Sequence, residues 1–258
     1  MDGILQHFRK EEQPFVELVQ DWVREVEDLY SPKLTGFLDP RERFIVQSVV
    51  RGSGLLTAEH GGFQEAERKR LLLYPDYYAP TEEDFQIAVF AIRYAAKFVT
   101  LEHPAILGSL MGLGLDRSKF GDIRLEGEAA QFAAASEIGA YLEANFTSAG
   151  KAKVRLEEVG TPEEYIETDE EWTEETRIVS SLRLDTVLSS LLNSARQKSA
   201  SYITGGKVKV NWRVIEQPSF ELNESDVLSV RGYGRFKVIA IEGRTKKDKI
   251  RLVAGKLE

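Results

Sequence analysis

The sequence predicts an α+β protein of several small domains, and three observations carry that expectation. Apolar residues recur at three- and four-residue steps in some stretches and alternate in others, so helices and half-buried strands share one chain. Charge is unevenly spread: Thr176 to Glu258 hold 16 Lys and Arg against 8 Asp and Glu, leaving 18 against 34 for the first 175 residues. The net charge of -8 therefore hides a basic module behind an acidic average. Finally, 258 residues with 42% hydrophobic content suffice for more than one core.

Composition also removes whole classes of chemistry. The chain has no cysteine, which excludes disulfides, thiolate metal sites and cysteine nucleophiles, and only three histidines, His7, His60 and His103. No metal or cofactor is expected. No apolar run reaches membrane-spanning length, and Met1 to Gln13 are polar with mixed charge. Neither a membrane span nor a secretory signal is expected, and the expected home is the cytoplasm.

The first domain is expected over residues 1–78, small and mixed. Phe15, Leu18, Val19, Trp22, Val23 and Val26 place one apolar stripe on a helix from about Pro14 to Tyr30. Asp39-Pro40-Arg41-Glu42 combines an N-cap, a proline at the first helical position and a capping-box glutamate, so a second helix begins there. Gly52 to Gly62 reads as loop.

Residues 79–159 read as strand (Phe85 to Ile92), helix (His103 to Met111), strand (Asp122 to Leu125), strand (Ala130 to Ala134), helix (Glu137 to Phe146) and strand (Ala152 to Glu157). Ser136 is the expected cap of the second helix. This βαββαβ order predicts a ferredoxin-like, RRM-like sandwich. The third strand offers only one ring, Phe132, where base-stacking versions of the fold carry several. A structural or protein-contact role is therefore expected. Gly108 to Gly114 lack the order of a nucleotide-binding loop, His103 has no second ligand nearby, and Asp116, Asp122 and Glu126 have no nucleophile to serve. No catalytic set emerges.

Glu157 to Thr176 contain ten carboxylates and no Lys or Arg. An acidic linker is expected over residues 160–180, with repulsion of non-specific RNA as the alternative reading. The C-terminal module then spans 181–258. Leu184, Val187, Leu188, Leu191 and Leu192 form one helical stripe, Ser194 is the expected cap of a second helix carrying Arg196, Gln197 and Lys198, and Gly205-Gly206 ends it. Lys207 to Arg213 alternate, putting Val208, Val210 and Trp212 inward and Lys207, Lys209, Asn211 and Arg213 outward. Further strands are expected at Ser219 to Leu222, Val227 to Arg231, Arg235 to Ile241 and Lys249 to Val253. Two helices followed by a small sheet, αα-β, complete the chain.

At these residues the sequence resembles the RNA-binding domain named after small-subunit ribosomal protein S-four. The match covers about Leu182 to Val230 through Arg183-Leu184-Asp185, Arg196, Ile203, Gly206, Val208, Val210-Asn211 and Asp226. Two positions depart from the pattern: Ala195 stands where serine is common, and Trp212 where glycine follows the asparagine. A longer resemblance, to the YlmH family, rests on Gly108 to Gly114 with Gly121-Asp122-Ile123, and on Leu228 to Arg235. It implies a ribosome-associated factor that binds large subunits carrying stalled peptidyl-tRNA, in ribosome-associated quality control, with genes often near those of cell division.

The candidate RNA-binding residues are Arg183, Ser194, Arg196, Gln197, Lys198, Lys207, Lys209, Asn211, Arg213, Arg231, Tyr233 and Arg235. Arg183 and Arg196 are chosen because guanidinium forks match phosphate oxygens, and Arg231-Gly232-Tyr233-Gly234-Arg235 because ring and guanidinium stack on a base. Asp185 is expected to pair locally. The expected partners are ribosomal RNA, tRNA and the large ribosomal subunit, met by a monomer without catalytic activity. The competing readings are a cell-division scaffold and an RNA-modifying enzyme of the pseudouridine synthase kind.

Overall fold

A computed structural model describes residues 8, 10–167, 172–245 and 247–257. Residues 1–7 and 9 of the expected first domain, and 168–171 of the expected linker, lie outside the described residues. The chain divides into two compact units, Met1–Thr168 and Asp169–Glu258. Both mix helix and sheet, in keeping with the α+β class.

The first unit opens with helix α1 (Gln13–Leu29), strand β1 (Lys33–Leu38), helix α2 (Pro40–Val50) and strands β2 (Leu56–His60) and β3 (Lys69–Tyr74). The strands form an antiparallel sheet in the order β1-β3-β2. Val16, Val19, Val23 and Val26 of α1 meet Ile45, Val46, Val49 and Val50 of α2 over Leu71 and Leu73. The capping box forms as its residues require: Glu42 N donates to Asp39 Oδ1 and Asp39 N to Glu42 Oε2, both at 2.8 Å. Strand β2 lies within the stretch read as loop. Its residues Thr57, Ala58 and Glu59 carry no apolar alternation, and pairing with β3 rather than side-chain burial makes it a strand.

Strand β4 (Ile87–Tyr94), helix α3 (His103–Met111), strands β5 (Phe120–Glu126) and β6 (Ala129–Ala135), helix α4 (Gly139–Asn145) and strands β7 (Ser148–Ala149) and β8 (Ala152–Glu158) follow. Their sheet runs β5-β6-β4-β8-β7 with every neighbouring pair antiparallel, as a ferredoxin-like sandwich requires. Ser136 starts a 3-10 turn, Ser136–Ile138, and makes no side-chain cap bond. The ring stack Phe90, Phe132 and Phe146 fills the helix side.

The opposite face of this sheet is covered as well. Phe37, Phe63 and Ala66 from the first 78 residues belong to the same core as Val89 and Ala133. Asp122 accepts from the backbone N–H groups of Glu67 (2.6 Å) and Arg68 (3.0 Å). Buried Arg68 donates to Phe37 O (2.6 Å) and Phe120 O (3.3 Å). At Gly121 an added Cβ would stand 2.7 Å from the Phe37 ring, so the close approach of the layers needs glycine there. The segment Pro162–Ile166 straps down beside them. Gln131 donates to Glu164 O (2.8 Å) and accepts from Ile166 N (2.9 Å), while Arg124 bonds Ile166 O (2.8 Å) and lies 4.5 Å over the Phe63 ring.

The second unit starts inside the expected linker, with strand β9 (Trp172–Val179) pairing along its length with β14 (Ile250–Leu257). Thr173, Thr176, Ile178 and Val179 supply β-branched side chains that the surrounding carboxylates obscure. Helices α5 (Leu184–Leu191) and α6 (Arg196–Thr204) and strands β10 (Val208–Val210), β11 (Arg213–Val214), β12 (Val227–Val230) and β13 (Gly234–Arg244) complete it, in the sheet order β11-β10-β12-β13-β14-β9. Leu184, Val187, Leu188 and Leu191 turn their shared stripe onto Val208, Val210, Leu228 and Val238, each buried side chain contributing about 1.5–3 kcal/mol.

Two strand expectations change here. Ser219 to Leu222 form only a bridge between Arg183 and Glu221. Lys207 to Arg213 do not run as one strand, because Asn211 (φ 48°) and Trp212 (φ 66°) are both left-handed and turn the chain back as a two-residue hairpin. Trp212 thus holds the conformation that glycine adopts without strain, and it does not point inward as part of a strand.

The N-cap of α2 gives a test. Burial and the neighbouring Glu42 push the Asp39 carboxyl up to about 6, against its ordinary 3.8, despite backbone hydrogen bonds that favour the charge. Between those values the folded chain holds a proton that the unfolded chain has lost, so this site's contribution falls as pH rises through the window. Asp39→Asn keeps a capping oxygen. Its stability relative to the wild type is expected to rise from about pH 4 to pH 6 in chemical unfolding; a flat or falling difference contradicts the assignment.

Candidate nucleic-acid interface

The start of α5 is held by the loop before β12: Leu184 N donates to Phe220 O (2.7 Å) and Asp185 N to Pro218 O (3.0 Å). That seats Asp185 in the first turn with its carboxylate only 7% exposed. Arg183, the N-cap, reaches it through Nε and Nη2, both at 3.2 Å. Arg196, the first residue of α6, reaches Oδ2 through Nε at 3.0 Å and Nη2 at 2.9 Å. Thr186 Oγ1 adds a fifth donor atom at 3.2 Å. Burial pushes the Asp185 carboxyl up, but the hydrogen bonds and charges of the two arginines outweigh it and hold the group below its ordinary value.

One carboxylate therefore fixes two guanidinium planes that would repel each other without it. The arginine side chains remain 40% and 53% exposed. Each uses part of a five-donor fork on Asp185, which leaves further donors for an outside anion.

Along α6 from Arg196, Lys198 and Tyr202 share a face four residues apart. Tyr202 meets Tyr233 edge-on at 5.5 Å, and Lys207 Nζ lies 5.1 Å over the Tyr202 ring. The hydrogen bond from Tyr202 and the charge of Lys198 hold the Tyr233 hydroxyl below its ordinary value, and the same bond raises that of Tyr202. Tyr233 is positioned by a tight turn: its N–H donates to Val230 O (2.9 Å), with Gly232 at φ 87° and Gly234 at φ 95°. Arg231 N donates to Lys207 O (2.9 Å), which ties this turn to the residue that leads into β10.

The sheet face turned away from the two helices carries a second basic row. Register places Lys209, Ser229 and Arg235 in one row across β10, β12 and β13, with Lys237 opposite Val227. Val208, Val210, Phe236 and Val238 alternate with them and are buried, so Lys209, Arg235 and Lys237 share the outer face. Tyr202 and Lys237 were absent from the sequence-derived set. The signal for Tyr202 is its helical spacing from Lys198; for Lys237 it is the alternation with Phe236 and Val238.

Other candidates sit elsewhere. Ser194 is not a helix cap: Ala195 is, without a side-chain bond, and Ser194 Oγ instead meets buried Ser199 Oγ at 3.0 Å in the interhelical junction. Asn211 is committed to its hairpin, donating to Asp226 Oδ1 (2.8 Å) and accepting from Val227 N (2.9 Å). Arg213 is exposed just past that turn, and Gln197 is exposed on α6. Among the described residues, no group of three His, Cys, Asp or Glu is placed to hold a metal, and no helix is long and apolar enough to cross a membrane.

Family models match along the chain. Residues 11–78 match "YlmH, N-terminal", residues 80–163 match "Putative RNA-binding domain in YlmH", and residues 182–228 match the S-four domain. The chain is 46% identical over 253 residues to "Ribosome-associated protein quality control protein P2" of Bacillus subtilis (strain 168), covering 98% of each protein. It is also similar to the solved structure of "Cell division protein ylmH from Streptococcus pneumoniae", at 35% identity and a TM-score of 0.54, over 61% of this chain and 96% of that one.

Asp185→Asn keeps the volume and removes the charge that the two arginines share. Stability at neutral pH is expected to fall by about 1–2 kcal/mol, the range for charge-assisted hydrogen bonds at a half-exposed site. A carboxyl held below its unfolded value contributes stability above that value and loses it as pH falls through the folded one. The deficit of the variant should therefore shrink on acidification. Thermal melts across pH check this, and a deficit that persists undiminished in acid assigns the loss to packing instead.

Proposed function

Because this chain belongs to the YlmH family and carries its S-four module, we propose that it is a non-catalytic RNA-binding factor acting on the ribosome in the cytoplasm. The observation that carries this reading is the convergence of Arg183 and Arg196 on buried Asp185, beside the Tyr202, Tyr233, Lys198 and Lys207 cluster. Pre-oriented guanidinium forks suit phosphate oxygens. The tyrosine pair offers a ring for an unstacked base, and the outward row of Lys209, Arg235 and Lys237 adds positive charge on the far face of the sheet. Shape and phosphate recognition of this kind suits structured RNA, ribosomal RNA or tRNA, rather than one sequence.

The name of the Bacillus subtilis relative supports a ribosome-associated quality-control role; the finer reading, a monomer on the large subunit next to a stalled peptidyl-tRNA, rests on the family resemblance. The Streptococcus pneumoniae protein bears a cell-division name, which favours a second reading, a scaffold for cell division. Sedimentation separates them, since the ribosomal factor travels with large subunits and the scaffold stays off them.

Phosphate contact has a thermodynamic signature. Log affinity for ribosomal RNA should fall linearly with log salt, each neutralised phosphate contributing roughly 0.7–0.9 to the slope. Arg183→Ala with Arg196→Ala should weaken binding and flatten that slope by about 1.5–2. An unchanged slope in the double variant removes the arginine pair from the interface.

A further inference from the structure

The sheet face through which ferredoxin-like modules stack bases is closed in the first unit. Phe37, Phe63 and Ala66 lie on its centre, and Tyr165 and Ile166 of the strap lie beside them. Its small residues Ala133 and Gly121 are the floor for that packing rather than a platform for bases. One end of the face carries side chains of another kind. Register sets Arg93 of β4 opposite Arg155 of β8, and Lys153 lies two residues along the same face. Arg93 and Arg155 are 63% and 77% exposed and both bond Glu157.

Two loops extend this end. The chain leaves β4 through a turn fixed by Ala96 N to Tyr94 O and Phe98 N to Ala95 O, both at 3.0 Å. That turn presents Lys97 and Phe98, and Phe98 is 87% exposed, more than any other large apolar side chain described. The β7–β8 turn, next to the start of β8, presents Lys151. Lys97, Lys151, Lys153, Arg93 and Arg155 thus lie on this end of the sheet and on the two turns that extend it, with Phe98 as its exposed ring. Glu157 pairs with both arginines, and Glu126, Glu128, Glu163 and Glu164 line the groove that Arg93 borders, in a chain segment where Asp and Glu outnumber Lys and Arg almost two to one.

We propose that this corner is a second RNA contact, separate from the arginine pair, in which Lys97, Lys151, Lys153, Arg93 and Arg155 meet phosphates and Phe98 stacks on an unpaired base. The charge decides between occupants. A polyanion gains from five cations on one end of a sheet and its turns, and an aromatic tip on a hydrogen-bonded turn is the side chain that stacks on any base without sequence preference. The acidic remainder of the unit repels RNA and so confines contact to the corner.

The test uses the full chain and transcribed large-subunit ribosomal RNA. Lys97→Ala, Lys151→Ala and Lys153→Ala together leave the Arg93–Glu157–Arg155 pairs in place. They are expected to flatten the salt slope by about 2–3, and Phe98→Ala to weaken binding about tenfold, with thermal midpoints unchanged. A photo-crosslinking side chain at position 98 should attach to RNA on ribosomal subunits. Wild-type affinity and slope in both variants overturn the proposal, as does a crosslink to protein alone. If these variants bind normally while the Arg183, Arg196 double variant fails, only the second contact falls; the reverse outcome removes the arginine pair and keeps the corner.

Discussion

The second unit depends on one buried carboxylate. Asp185 lies in the first turn of α5, where the helix dipole favours negative charge, and it receives both Arg183 and Arg196. It does two things at once. It holds the starts of α5 and α6 against each other, and it brings two positive groups closer than their repulsion would otherwise allow. Everything around it follows from that junction: the direction of α6, hence the face carrying Lys198 and Tyr202, hence the meeting of Tyr202 with the turn that holds Tyr233. The site is part of the fold's own hydrogen bonding rather than an addition to it.

The first unit is governed by a different constraint, a sheet that both of its faces must bury. Large rings occupy the helix side, while alanine and glycine on the other side let the first 78 residues approach closely. Buried Arg68 and Arg124 bind backbone carbonyls across that contact. Their charge is spent on neighbouring segments of the chain and does not add to the outer surface. A fold shared with many RNA-recognition modules is thereby given a closed centre, which is why fold alone does not locate a binding surface.

Much of this was legible from residues alone. The stripe of α1, the capping box of α2 and the βαββαβ order all rest on local rules of spacing and capping, and the structure follows them, except that Leu18 of the α1 stripe is exposed and Val16, on the buried side, takes its place in the core. What escaped was set by distant partners. Strand β2 has no apolar alternation and exists because β3 pairs with it; β9 was hidden by carboxylates that sit on an edge strand, where charge is favourable. Asn211-Trp212 read as strand because Val208, Val210 and Trp212 alternate, yet the Asn211 side chain bonds Asp226 fifteen residues away and fixes a hairpin. Arg183 and Arg196 were recognisable as phosphate-matching groups, but their common anchor was not, since eleven residues and a helix reversal separate Asp185 from Arg196.

The central claim is that Asp185 serves RNA binding by orienting the arginines, against the alternative that its negative charge merely competes with phosphate. The two have opposite signs, and a double-mutant cycle on RNA affinity separates them. The orienting role predicts that Asp185→Asn weakens binding in the wild-type background and has no effect once Arg183 and Arg196 are both alanine. Tighter binding by Asp185→Asn, or an equal loss in both backgrounds, would contradict it.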